Sequence, residues 1–174
     1  NSDLNWIEQY NIYSPKKIDP DVNGKERFQA NQQLFKYHFR GLAKQMPWIG
    51  VVHLLVASES QVPNWIDRDT VHIVTHDKFI DKEFLPTFNS STIEMFLPKI
   101  KGLSERFIYA NDDFYYVYTL KDRFYFEGSK IKTKIEPHPI QKGEDIPVWK
   151  QLFINSWNLI NPDKKIDNTC NKYF

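Results

Sequence analysis

The run Ile49-Gly-Val-Val-His-Leu-Leu-Val-Ala57 restricts the fold more than any other part of the chain. It is apolar without alternation and rich in β-branched residues, so it is expected to form a strand buried on both faces. A strand covered on both sides belongs in a largely parallel sheet with helices packed against it. Residues 71–74 repeat the pattern over a shorter span, 107–110 give a third strand candidate, and 114–120 start a fourth.

Between these runs the apolar period changes from strand to helix. Residues 26–45 place Phe28, Leu34, Phe35, Phe39 and Leu42 at helical spacing, and Pro47 closes the segment. Residues 90–100 do the same with Ile93, Phe96, Leu97 and Ile100, although Pro98 interrupts them. Residues 147–159 carry a stripe of Trp149, Leu152, Phe153 and Trp157 that continues to Ile160. A short helix over residues 4–10 would be capped from Asn1-Ser2-Asp3, and residues 14–24, with Pro15, Pro20 and Gly24, read as loop. The expected fold is α/β, a largely parallel central sheet flanked by helices, with residues 1–174 as a single domain.

Composition supports a packed domain and narrows its partners. The chain is 41% hydrophobic and 16% aromatic, enough to build a core and far from the signature of disorder. Its net charge of +1 argues against nucleic acid as the main partner, while leaving room for a local phosphate site. The single cysteine, Cys170, can form no internal disulfide and no multi-cysteine zinc site, which favours a reducing compartment. No apolar run approaches the roughly 20 residues of a membrane span, and the start of the sequence lacks the pattern of a signal peptide.

The sharpest chemical feature follows the third strand candidate. Phe107-Ile-Tyr-Ala110 runs into Asn111-Asp112-Asp113. Ligands of open α/β sheets bind beyond the carboxyl ends of strands. Two carboxylates there are placed to hold Mg²⁺ or Mn²⁺ against a diphosphate. Asn-Asp is also ordinary turn chemistry, and a solvated turn explains the triplet equally well.

Other residues carry paired readings. Arg40, beside an apolar stripe, can hold phosphate through its guanidinium fork or serve as a surface arginine. Gln61, Pro63 and Trp65 follow the first strand; Trp65 can stack on a base or sugar, or fill the core. His76 follows the second strand and is a candidate general base, but its neighbour Asp77 points away from it on an extended chain. Asn89 or Ser90 would cap the helix that follows, and a helix start also seats phosphate. His138, between two prolines, reads as loop, and Cys170 has no partner for nucleophilic catalysis.

Residues 27–113 resemble the long second conserved block of the Stealth family of sugar-phosphate transferases. That family includes bacterial capsular-polysaccharide phosphotransferases and the animal N-acetylglucosamine-1-phosphotransferase. The matching pieces stand in family order: Arg27-Phe28, Phe39-Arg40, Met46-Pro47-Trp48-Ile49, Gln61-Val-Pro-Asn-Trp65, Leu85-Pro-Thr-Phe-Asn-Ser90, Ile93-Glu94, Gly102-Leu-Ser-Glu-Arg-Phe-Ile-Tyr109 and Asn111-Asp-Asp113. Asp3-Leu-Asn-Trp6 is similar to the tail of the first block, and Trp149 with Asn155-Ser156 to the start of the third. The Trp-Val-Asp-Gly stretch of the first block, the histidine-bearing part of the third and the whole fourth block are not in this sequence. The chain is therefore expected to be an incomplete part of a longer enzyme.

The resemblance implies a Rossmann-like, GT-A-like nucleotide-sugar transferase architecture. It implies transfer of hexose 1-phosphate from a UDP-sugar to a saccharide hydroxyl, with release of UMP, in capsular or cell-surface polysaccharide synthesis. It assigns Asp112 and Asp113 to the metal and to catalysis; His76, from its place after the second strand, is a further catalytic candidate. Arg40, Gln61, Asn89, Ser90 and Asn111 become candidate substrate ligands. The expected setting is the bacterial cytoplasm, at the inner face of the membrane through peripheral association. A metal-dependent glycosyltransferase releasing UDP, and a non-catalytic sugar- or nucleotide-binding module, are the competing expectations.

Overall fold

A computed structural model describes residues 4–19, 32–132 and 148–164. The chain divides into two compact units, residues 1–121 and 122–174. In the first unit, helix α1 (Leu4–Tyr13) and helix α2 (Gln32–Gln45) precede strand β1 (Val52–Val56). Strand β2 (Val71–Thr75) and helix α3 (Ser90–Phe96) follow. In the second unit a short antiparallel hairpin, β3 (Phe126–Glu127) with β4 (Lys130–Ile131), precedes helix α4 (Val148–Ile160). The proposed cap at residues 1–3, Phe28, His138 and Cys170 lie outside the described residues.

β1 and β2 pair in parallel, in a register running from Val52 opposite Val71 to Val56 opposite Thr75. Parallel neighbours need a crossover of about a dozen residues or more. Here residues 57–70 make it through turns and a short 3₁₀ helix, Glu59–Gln61, rather than an α-helix. The Gln61 side chain braces this crossover, its Oε1 accepting the Ala57 N–H at 2.8 Å. The expected mixed α/β character holds, but the sheet of the first unit has only two strands among the described residues.

The core forms where α3 meets the two strands. Phe79, Ile80, Leu97 and Ile100 are buried together, with Leu55, Val74, Ile93 and Phe96 packed around them. Pro98 is accommodated because the α-helix gives way at Leu97 to a 3₁₀ turn, which needs no i−4 donor from the proline. The continuous apolar run does not bury both faces of β1. Only Val56 is fully buried, and Val51 is 54% exposed.

Two strand expectations fail in an instructive way. Residues 107–110 and 114–120 join no sheet among the described residues. The second segment is held by helix α2 instead. His38 Nδ1 lies 2.7 Å from the Phe114 carbonyl and must donate to it, since a carbonyl only accepts. One turn on, Gly41 meets the Tyr116 backbone so closely that an added Cβ would stand 3.1 Å from the Tyr116 oxygen. Gln45 takes Thr119 Oγ1 at 2.8 Å and receives the Leu120 N–H on its own carbonyl at 3.1 Å. Trp48 Nε1 donates to the Leu120 carbonyl at 2.6 Å. Positions 38, 41 and 45 form one helical stripe and Trp48 stands just past the helix end, so together they answer backbone groups that a neighbouring strand would otherwise take. Leu34, expected in the apolar stripe, sits one turn before this row and is 49% exposed.

Helix α4 forms as expected; Ile154 is buried, while Leu152 and Ile160 of the expected stripe are exposed. No helix among the described residues is long and apolar enough to cross a membrane.

Candidate active site

A cavity of about 1350 Å³ lies wholly within the first unit, along β1 and against residues 106–112. Gln61, just past β1, and His76, immediately past β2, open onto it together with Asn111 and Asp112. Four residues singled out from the sequence thus share one cavity, two of them just past the carboxyl ends of the parallel strands.

Residues 111–114 form a turn closed by the Phe114 N–H on the Asn111 carbonyl at 3.2 Å. Asp112 and Asp113 are its two central residues, both exposed. Turn chemistry and a ligand site are therefore compatible here: the turn presents the carboxylates instead of consuming them. Among the described residues neither carboxylate is held in an ion pair. The turn is also tied to the scaffold, because the His38 bond anchors its last residue to α2.

Tyr109 stands just before this turn and lines the same cavity. Burial raises its phenol above the ordinary value, aided by the Glu94 carboxylate that accepts its hydrogen bond and by the charge of Asp112. Tyr109 therefore remains a neutral donor at physiological pH. It links α3 to the acidic turn. Arg106 also lines the cavity and is its one Lys or Arg among the described residues. Neither Tyr109 nor Arg106 was marked from the sequence as a site residue. Both stand in the Gly102–Tyr109 motif, and the signal was their place one to a few residues before an acidic strand end.

His76 is buried, with its ring edge-on to Phe79 at 6.0 Å. Burial holds its imidazole below the ordinary value, opposed in smaller measure by the Asp77 carboxylate. It is neutral near pH 7, as a proton acceptor must be. Asp77 does not orient it: that carboxylate accepts the Thr75 hydroxyl and pairs with Lys78 at 3.3 Å.

The remaining candidates lie outside the cavity lining. Arg40 is exposed on α2, its guanidinium over the Tyr37 ring at 5.5 Å. Asn89 caps α3, its Oδ1 accepting the Ser91 N–H at 2.9 Å, and Ser90 is the exposed first residue of that helix. Asp113, next to Asp112, is not among the residues that line the cavity. Trp65 takes the core alternative, packing edge-on against Phe35 and Phe39.

The donor set bears on which cation the turn would suit. Among the described residues no group of three or more His, Cys, Asp or Glu is gathered for a metal. A dedicated protein cage is thus not what these residues build. Two adjacent carboxylates fit a hard cation that keeps several waters and shares phosphate oxygens with its substrate, as Mg²⁺ does.

The profile of Stealth protein CR2, conserved region 2, matches residues 27–134. A capsular polysaccharide phosphotransferase of Streptococcus pneumoniae is 37% identical over 182 aligned positions, covering all of this chain and 52% of that relative. A capsular polysaccharide phosphotransferase of Actinobacillus pleuropneumoniae is 36% identical over 136 residues, 75% of this chain and 36% of the relative. An exopolysaccharide phosphotransferase of Lactiplantibacillus plantarum is 40% identical over 116 residues, 66% of this chain and 33% of the relative. The chain spans about a third to a half of the length of these curated relatives.

Proposed function

This chain belongs to the Stealth protein family, and we propose that it forms the nucleotide-sugar side of an enzyme that transfers a sugar phosphate during capsular or exopolysaccharide synthesis. The names of its relatives support phosphate transfer and a saccharide acceptor. The observation that carries the reading to particular residues is the shared cavity: Asn111 and Asp112 open onto the same space as Gln61, His76 and Arg106. Gln61 and His76 stand just past the carboxyl ends of β1 and β2, the ends at which open α/β sheets bind ligands.

The donor we propose is a UDP-linked hexose. The acceptor hydroxyl attacks the phosphorus bonded to the sugar, the bond to the bridging oxygen of the diphosphate breaks, and UMP leaves. The product is a sugar–phosphate–sugar diester. Charge in such a transfer rests on phosphoryl oxygens, so positioning and electrostatics supply most of the rate.

Asp112 and Asp113 would hold Mg²⁺ or Mn²⁺, which when bound supplies charge neutralisation on the diphosphate. Arg106 holds a phosphate oxygen from the cavity wall with its guanidinium fork. Asn111 and Gln61 offer amide groups to donor hydroxyls or phosphate. Tyr109, kept neutral, donates within the cavity once its bond to Glu94 is shared. His76, also kept neutral, accepts the proton of the attacking hydroxyl. Arg40, Asn89 and Ser90 act, if the full enzyme brings them to the donor, through the rim rather than the cavity wall. A Rossmann-like, GT-A-like sheet and peripheral attachment at the cytoplasmic membrane face belong to the same proposal.

The test is product analysis with the full-length enzyme, a UDP-hexose and a saccharide acceptor. Phosphorus NMR should show a phosphodiester, and chromatography should show UMP. UDP with no phosphodiester signal would assign the protein to the glycosyltransferases. Donor binding without turnover would make it a binding module.

A further inference from the structure

β1 and β2 carry one histidine each at matching positions. In their parallel register His53 stands opposite His72, and Leu55 opposite Val74. Side chains two apart on a strand share a face. His53 and His72 therefore lie on the face of Leu55 and Val74, which pack against the core at α3, and one step nearer the amino ends. The two imidazoles meet edge-on, with ring centres 5.2 Å apart and planes at 84°. His72 is exposed and His53 is partly buried.

Packing accounts for two touching rings but not for their polar atoms. His53 Nδ1 is buried and has no hydrogen-bond partner among the described residues. Such unanswered buried nitrogens are uncommon in folded proteins, and each calls for a group that answers it. Burial, and then the neighbouring His72, hold the His53 imidazole below its ordinary value. It is neutral near pH 7, the form that coordinates a metal.

The spacing suits one cation shared by both rings. With Zn–N bonds of about 2.0–2.1 Å and tetrahedral angles, two imidazoles on one zinc have their centres about 5 Å apart. Imidazole nitrogen favours Zn²⁺ and its borderline neighbours, whereas Mg²⁺ prefers oxygen.

We propose that His53 and His72 form a second cation site, distinct from the acidic turn, that takes Zn²⁺ across the β1–β2 pair. Two imidazoles supply two of the four tetrahedral positions and waters supply the rest. That accords with the lack, among the described residues, of any group of three or more ligating side chains. A cation bound to both rings clamps together a sheet that has no third strand among the described residues. The clamp sits toward the amino ends of the strands. Gln61 and His76 lie past the opposite ends, about 10 Å or more of strand away. A cation with two waters needs on the order of 100 Å³, so the cavity, which His53 also lines, keeps its far end for the sugar donor.

The site does not depend on phosphoryl transfer, and it is tested by binding alone. Full-length protein freed of metal by chelation would be titrated with Zn²⁺ in calorimetry, with Mg²⁺ in excess to fill oxygen sites. Wild type should take up one Zn²⁺ that His72→Phe, which keeps a ring against His53, does not. Lowering the pH from about 7.5 to about 5.5 should weaken that uptake at least about tenfold, because protons compete for imidazole. The unaltered protein gives a second readout by nitrogen NMR: one equivalent of Zn²⁺ should shift the ring resonances of His53 and His72 together. The same Zn²⁺ stoichiometry in His72→Phe overturns the proposal. So do uptake suppressed by Mg²⁺, a shift at one histidine only, or binding that needs Zn²⁺ on the order of 1 mM, the strength of an adventitious ion.

Discussion

Replacing His38 with leucine should unfasten the acidic turn from its helix. The wild-type ring is buried and its Nδ1–H bonds the Phe114 carbonyl at 2.7 Å. Leucine fills much of the volume but leaves that carbonyl without its partner, a loss of about 1–3 kcal/mol. The ring also meets Phe39 and Tyr116 edge-on, at 5.6 and 5.3 Å. Aliphatic packing does not reproduce that geometry, which adds about 1 kcal/mol. The expected destabilisation is about 2–4 kcal/mol, a fall in Tm of about 4–16 °C for a chain of this size. Thermal unfolding followed by circular dichroism reads the shift. His38→Asn keeps a side-chain N–H near the position of Nδ1 and should recover about half the loss. A leucine variant as stable as wild type, or an asparagine variant no better than leucine, would refute the claim that this bond holds the turn.

Other outcomes follow from the same geometry. Gly41→Ala forces the Tyr116 backbone away from α2 and should cost about 1–3 kcal/mol in chemical denaturation; an unchanged midpoint would mean that segment yields freely. Asp112→Asn and Asp113→Asn should leave unfolding unaltered but abolish Mg²⁺-dependent donor affinity in calorimetry on the full-length enzyme, and retained affinity removes the pair from the site. His53 and His76 are both held below the ordinary imidazole value, chiefly by burial. The unfolded chain then binds more protons as pH falls through about 6.5, so their contribution is intact above that value and lost below it. Denaturation midpoints at about pH 7.5 and about pH 5.5 should differ less in His76→Phe than in wild type; an equal difference would show that His76 titrates normally.

The parts legible in the sequence were those decided locally. Helical periodicity located α2, α3 and α4, and the β-branched runs located β1 and β2. The same local signal overstated residues 107–110 and 114–120. Phe, Tyr, Val and Ile favour an extended backbone, but strand pairing depends on partners that composition does not name. For 114–120 those partners are His38, Gln45 and Trp48, more than 70 residues away in sequence. The acidic turn was visible because two adjacent carboxylates are conspicuous. Tyr109 and Arg106 were not, because an aromatic and a cation inside an apolar motif read as packing until the cavity beside them is seen. Asn89 shows the converse: its polar side chain drew attention as a ligand, and it is spent on a helix cap.

The central claim concerns which bond breaks, and it can be read from one isotope. Full-length enzyme would be given a UDP-hexose carrying labelled phosphorus only in the phosphate bonded to the sugar, together with a saccharide acceptor. Phosphoryl transfer by the proposed route carries that label into the saccharide product and leaves UMP unlabelled. Label recovered in UDP, with an unlabelled saccharide, would mean attack at the anomeric carbon and would contradict the account.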